Sequence, residues 1–248
     1  MPATVPLAFF LILSGAAVGS FMAAWADRLP RGESVISPAS RCRDCGSPVS
    51  WRDKVPVVSW LILGGQCRAC GKAIPQRLFY AEIAGAVLAI MAIWGAQSPI
   101  QMILGALYLW ILLGLMMCDL SAFRLPNALT GLLCVTGVGL AWEDPFRTPV
   151  DAAFGAAVGG GVFFLIRIVY QWLRGREGLG LGDVKLMAGI GAGLGAMALP
   201  MVALIAASAA LVLAALTAWR TGQHPGSGQE IPFGAYLCGA SALWWLIG

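Results

Sequence analysis

Residues 100–120 read IQMILGALYLWILLGLMMCDL, a run of twenty-one positions whose only Asp, Glu, Lys, Arg or His is Asp119. A helix needs about 20 apolar residues to cross the hydrocarbon core of a bilayer, so this run is a membrane span with a carboxylate near one end. Working outward, seven more runs qualify: residues 5–26, 78–96, 125–142, 150–173, 182–198, 199–219 and 232–247. The runs are continuous rather than alternating, which argues against a β-barrel. Over all 248 residues, 59% are hydrophobic and only 11% charged, and the mean hydropathy is +0.80. Those values exclude a soluble domain, a disordered chain and a secreted disulfide scaffold. The expected fold is an all-α polytopic membrane protein with about eight transmembrane helices and a small polar domain between the first and second. Glycine is abundant, with Gly155, Gly159, Gly160 and Gly161 in the fifth span. Small residues there let helix backbones approach closely.

Charge orients the spans. No Lys or Arg precedes Arg28, and nine of the sixteen lie between Arg28 and Arg77. A signal peptide would carry its basic residues before the apolar core, so the first run is a retained helix with its amino end outside. The positive-inside rule then makes residues 27–77 cytoplasmic. Arg124, Arg174, Arg176 and Arg220 also fall inside, and Arg147 alone falls on the wrong side. The expected organisation is a first transmembrane helix (1–26), a cytoplasmic zinc-binding loop domain (27–77) and a transmembrane helical domain (78–248).

The polar segment holds Cys42-Arg43-Asp44-Cys45 and Cys67-Arg68-Ala69-Cys70. Two C-x-x-C pairs at this separation read as a structural zinc site, since four thiolates fill a tetrahedron and leave no open position. Disulfides compete with that reading, but the assigned side is reducing. Four thiolates around one zinc leave a charge of about −2, which Arg41, Arg43, Arg68 and Lys72 can offset. A segment this small has little core of its own, so a metal staple is physically reasonable. Cys118, Cys134 and Cys238 lie within spans and read as packing residues. The single histidine, His224, sits in a Gly/Pro/Ser-rich loop and reads as solvated.

Ionisable residues inside a membrane are costly and are functional candidates by default. Asp119 and Asp183 fit that description, both at the cytoplasmic face by the topology above. Two neighbouring carboxylates in a low-dielectric site share a proton, one acting as base on water while the other polarises a carbonyl. That is aspartic proteolysis. The competing reading is that Asp183 caps its own helix. Gly180 and Gly182 allow unusual backbone beside Asp183, and Pro126 and Asn127 read as a turn opening the fourth span. Asp144 and Asp151 read as interfacial or cap residues, and Asp27, Glu33, Asp44 and Asp53 as members of the polar loop. Glu82, inside the second span's first turns, either pairs with Arg77 or lines a cavity at the membrane surface.

These residues resemble a known family, the bifunctional prepilin peptidases, or leader peptidase/N-methyltransferases. The similarity runs through Gly19-Ser20-Phe21, Arg28-Leu29-Pro30, Ser37-Pro38, the first cysteine pair and Asp53-Lys54-Val55-Pro56-Val57-Val58-Ser59-Trp60-Leu61. It continues through Gly65-Gln66-Cys67-Arg68-Ala69-Cys70, Gln76-Arg77 and Glu82. It then takes in Asp119 with Leu125-Pro126-Asn127, and Gly180-x-Gly182-Asp183 followed by Lys185-Leu186. Phe123 and Leu125 stand where many members carry isoleucine or other apolar residues. The resemblance implies a GxGD-type aspartic protease of the bacterial inner membrane, with Asp119 and Asp183 as its catalytic pair. Its substrates would be type IV prepilins and type II secretion pseudopilins. Their leader would be cut on the cytoplasmic side after a glycine, and the new amino terminus methylated from S-adenosylmethionine. No glycine-rich dinucleotide-type fingerprint is present, so no residue is assigned to the methyl donor.

Two other readings of the same residues stand beside this one. A proton- or metal-coupled transporter could use the aspartates as a relay, although no inverted repeat is evident. A membrane adaptor could present the zinc loop to a cytoplasmic partner, leaving the aspartates unexplained. Membrane lipid is an expected partner and nucleic acid is not.

Overall fold

The computed structural model describes residues 4–37, 39–175, 177–221 and 231–247. Pro38 and Arg176 of the sequence reading, and His224 with its loop, lie outside these residues. Every long element is helical, and among the described residues no strand forms. Five helices are long and apolar enough to cross a membrane: Thr4–Arg31, Gln76–Gly95, Pro99–Ala122, Pro149–Arg174 and Ala196–Arg220. The chain is a multi-pass membrane protein. Its backbone divides into two compact units, Met1–Ala122 and Phe123–Gly248.

The first unit contains α1 (Thr4–Arg28), the short α2 (Val58–Ile62), α3 (Gln76–Gly95) and α4 (Pro99–Ala122). Apolar surface gives no net driving force between helices in lipid, so close van der Waals packing holds them together. Small residues at four-residue spacing supply it. A Cβ on Gly15 would overlap the Gly85 carbonyl, and one on Gly19 the Ala81 carbonyl. The α1 and α3 backbones therefore touch directly. The indole of Trp110 on α4, buried, donates its Nε1–H to the Gly85 carbonyl at 2.9 Å, fastening α4 to the same crossing. Of the three long helices α4 is the most enclosed, with Tyr108, Leu109, Leu112 and Leu115 all fully buried.

The second unit contains α5 (Asn127–Glu143), α6 (Pro149–Arg174), α7 (Leu181–Leu194), α8 (Leu199–Thr221) and α9 (Phe233–Ile247). The glycines expected to pack do so unequally. Gly155 and Gly159 of α6 meet the Gly191 and Met187 carbonyls of α7, whereas Gly161 faces open space. On its other side α7 receives α5, where Gly189 lies under Leu133 and Gly137 against Ala192 and Gly193. Thus α7 is the helix around which this unit packs.

The sixth expected span differs from the structure. Residues 182–198 do not form one helix: α7 stops at Leu194 and Gly195 takes φ +84°. Residues Ala196–Ala198 then make a 3₁₀ turn leading into α8. At 14 residues α7 is about 21 Å long, against about 30 Å for the hydrocarbon core. Helices α5 and α9 are also short, at 17 and 15 residues. Arg147, the one cation that the charge-based orientation places on the wrong side, has a structural occupation. Its guanidinium donates to the Gly193 and Ala192 carbonyls at 2.6 and 2.9 Å, satisfying acceptors that the end of α7 leaves free. Asp151 is a cap residue, as expected: with Thr148 it closes a reciprocal capping box at the start of α6.

Candidate active site and metal centre

The two cysteine pairs form the same small structure twice. In each, the first cysteine's N–H bonds to a carbonyl five residues on: Cys42 to Ser47 at 2.9 Å and Cys67 to Lys72 at 2.8 Å. The glycine after the second cysteine turns the chain with positive φ and donates to the first cysteine's carbonyl, Gly46 at 3.1 Å and Gly71 at 2.9 Å. Both glycines have φ +70°, a conformation that costs other residues a steric clash. Isolated antiparallel bridges, Arg41 with Pro48 and Gln66 with Ala73, close each knuckle.

The knuckles face each other, so the sulfurs of Cys42, Cys45, Cys67 and Cys70 all lie within 4.8 Å of one another. Cys42 Sγ and Cys70 Sγ are 3.8 Å apart. Zinc–sulfur bonds of about 2.3 Å in a tetrahedron require sulfurs about 3.8 Å apart, so this donor set fits a zinc ion. The thiols titrate unequally. Hydrogen bonding with Ser47, hydroxyl and backbone, holds Cys45 down at about 6. Backbone N–H groups of Cys70 and Ala69 lower Cys67. The Lys72 N–H pulls Cys70 down too, but desolvation and the Cys45, Cys67 and Cys42 thiols outweigh it and push Cys70 up to about 12. Crowded thiolates repel, and a divalent cation is the group that removes the conflict.

The cations beside the ligands serve as ties. Arg43 pairs with Asp27 at the end of α1, and Arg77 at the start of α3 pairs with the same carboxylate. The Asp27 side chain is only 7% exposed, so it is a buried junction and not a solvated loop acid. Arg68 grips Asp53 at 2.7 Å and, with Ser50, holds its carboxyl down at about 2. Glu82 does not take Arg77, which is engaged by Asp27. It accepts the backbone N–H of Val57 at 2.7 Å. Val57 has φ +62°, a strained conformation for a β-branched residue. The Trp60 ring stacks on Phe79 at 4.4 Å. The cysteine loop and helices α1 and α3 are thus joined at three places.

The two aspartates stand at helix ends. Asp119, buried at 6% exposure, lies in the last turn of α4 in the first unit. The chain then leaves the helix at Phe123 with φ +52°. Asp183 is the third residue of α7 in the second unit, half-buried, and its carboxylate lies against Gly180, where a Cβ would come 3.3 Å from Oδ2. The cap position of α7 is Gly180, which has no side chain to offer, and Asp183 stands in the first turn of the helix. Pro126 and Asn127 open α5 as expected.

Within the second unit the two motifs interlock. The Leu125 side chain covers Gly182, leaving no room for a Cβ without displacement, and Lys185 Nζ donates to Asn127 Oδ1 at 2.8 Å. The sequence offered no sign of this tie, nor of the Asp27 junction, since each joins residues far apart in the chain. The knuckle glycines were detectable: both pairs read C-x-x-C-G.

Known proteins share this arrangement of segments. Residues 13–96 match the model for the bacterial peptidase A24 N-terminal domain, and residues 106–215 match the type IV leader peptidase family. A prepilin leader peptidase/N-methyltransferase of Klebsiella pneumoniae is 35% identical over 207 residues, covering 81% of this chain and 91% of that protein. One of Stutzerimonas stutzeri is 31% identical over 270 residues, covering 98% and 93%. One of Myxococcus xanthus (strain DK1622) is 33% identical over 219 residues, covering 87% and 64%. No solved structure matches. By family model and by relatives spanning nearly its whole length, this chain belongs to the type IV leader peptidase family.

Proposed function

We propose that this chain cleaves the leader of type IV prepilins and type II secretion pseudopilins, and then N-methylates the new amino terminus. The observation that carries the reading is the chain-long similarity to prepilin leader peptidase/N-methyltransferases, with both the peptidase segment and the cysteine loop present. Asp119 and Asp183 are the catalytic carboxylates. One carboxylate takes a proton from the attacking water while the other, protonated, donates to the scissile carbonyl; the proton reaches the leaving amine as the intermediate collapses. The only histidine is His224, so a histidine-activated nucleophile would rest on that one residue.

The zinc ion is structural in this reading, held by Cys42, Cys45, Cys67 and Cys70, and supplies folding free energy to the loop. S-adenosylmethionine is the methyl donor, supplying an electrophilic methyl group. All eight long helices serve as spans, α5, α7 and α9 as short ones packed among neighbours, in the bacterial inner membrane with the loop and both aspartates on the cytoplasmic side. The excess of Lys and Arg in residues 27–77 supports that orientation.

Co-expression with a prepilin, followed by mass spectrometry of the product's amino terminus, tests the reading. Loss of the leader mass with gain of one methyl group is expected. An unprocessed prepilin beside correctly inserted protein overturns the peptidase, and a processed but unmethylated one overturns the transferase.

A further inference from the structure

We propose that α2 (Val58–Ile62) is an interfacial helix whose apolar face enters the headgroup–acyl boundary of an anionic leaflet, seating the cysteine loop on the bilayer. Its outward residues are wrong for water. Val58, Leu61 and Ile62, at i, i+3 and i+4, share one face and are 50%, 59% and 74% exposed. The inward residue is Trp60, stacked on Phe79. A helix of the loop that faced solvent would place polar residues on the exposed side; this one places only apolar residues there.

Two observations identify what covers that face. The first is depth. The N–H of Val57, immediately before α2, bonds to the Glu82 carboxylate, and Glu82 is the seventh residue of α3. At about 1.5 Å per residue it lies about 9 Å inside the start of that helix. Since α3 is just long enough to span the hydrocarbon core, the bond holds the start of α2 against the first turns of that span, within the roughly 5–10 Å to which amphipathic helices bury their apolar face past the headgroup boundary. The second is charge. Immediately before α2 stand Arg52 and Lys54, both exposed and without a salt-bridge partner among the described residues, while the acid between them, Asp53, is taken by Arg68. Trp51, 77% exposed, adds the residue type enriched at membrane interfaces. An apolar face, with a tryptophan and cations without salt-bridge partners in the turn that leads into it, matches an anionic phospholipid surface.

The test places photoreactive benzoylphenylalanine at Ile62, and separately at Asp44 as a reference on the exposed first knuckle. The full-length protein is reconstituted in phosphatidylcholine vesicles with and without phosphatidylglycerol. Both positions are exposed, so the probe displaces no core packing, and retained prepilin cleavage verifies folding. Mass spectrometry should find phospholipid adducts at Ile62 several-fold above those at Asp44. The Arg52→Glu/Lys54→Glu pair should lower the Ile62 adducts several-fold in phosphatidylglycerol vesicles and leave phosphatidylcholine vesicles unchanged. Equal lipid labelling at both positions, insensitivity to the charge reversal, or adducts only with an added prepilin or a second copy of the chain would overturn the proposal.

Discussion

Lys185 donates its ammonium group to the side-chain carbonyl of Asn127 across 58 positions of sequence, at 2.8 Å. The bond fastens the start of α7, which carries Asp183, to the start of α5, and the Leu125–Gly182 contact beside it seals the same junction. The bond is exposed, so it contributes about 0.5–1.5 kcal/mol. Removal of either end should therefore slow leader cleavage several-fold while leaving membrane insertion intact. Lys185→Met and Asn127→Ala should each show the loss, and the double variant should lose little more than either alone. Initial cleavage rates in reconstituted vesicles check this; additive losses would show that the two residues act separately.

Asp119→Asn and Asp183→Asn should each abolish leader cleavage, because an amide neither accepts the water's proton nor donates an acidic one. Membrane insertion, read by protease accessibility of the loop, should be unchanged. Processing at the normal rate by either variant would remove that residue from the mechanism.

Cleavage should follow a bell-shaped pH profile. In the proposed mechanism the two carboxylates work with one proton between them, so activity should be lost at low pH, where both are protonated, and at high pH, where neither is. The two apparent pKa values belong to the pair, not to either residue. A rate that keeps rising into alkaline solution would indicate a single general base.

Metal analysis should find about one zinc per chain, the number that four thiolates can hold in a closed tetrahedral site. Cys67→Ser should release it and disorder the loop, because in so small a unit metal binding supplies the folding free energy. Methylation should fall furthest, with cleavage reduced less, as α4 and α7 are held by helix packing. Product masses for the variant separate the two activities; full methylation by a zinc-free protein would refute the structural role.

The long helices and the cysteine knuckles were legible in the sequence because each is written locally, as a run of apolar residues or as C-x-x-C. The two aspartates were legible for a different reason: an acid in an apolar run is conspicuous. What escaped the sequence is non-local or conformational. Asp27 reads as one more loop acid until Arg43 and Arg77 converge on it. Glu82 has a cation five positions away in sequence, yet bonds to a backbone N–H twenty-five positions away. The break at Gly195 was hidden because glycine and alanine continue on both sides of it and hydropathy does not register φ.

The direct backbone contact of α1 with α3 bears on how the metal loop could be gained or lost. Gly19 meets Ala81, and Asp27 and Arg77 form an ion pair at the point where the chain enters and leaves the loop. Ends already held side by side need only a turn of about 2–5 residues to be joined, and the closure entropy of the intervening chain grows slowly with its length. The loop is placed as a cassette would be: its excision, exchange or enlargement is expected to leave the α1–α3 crossing where it is.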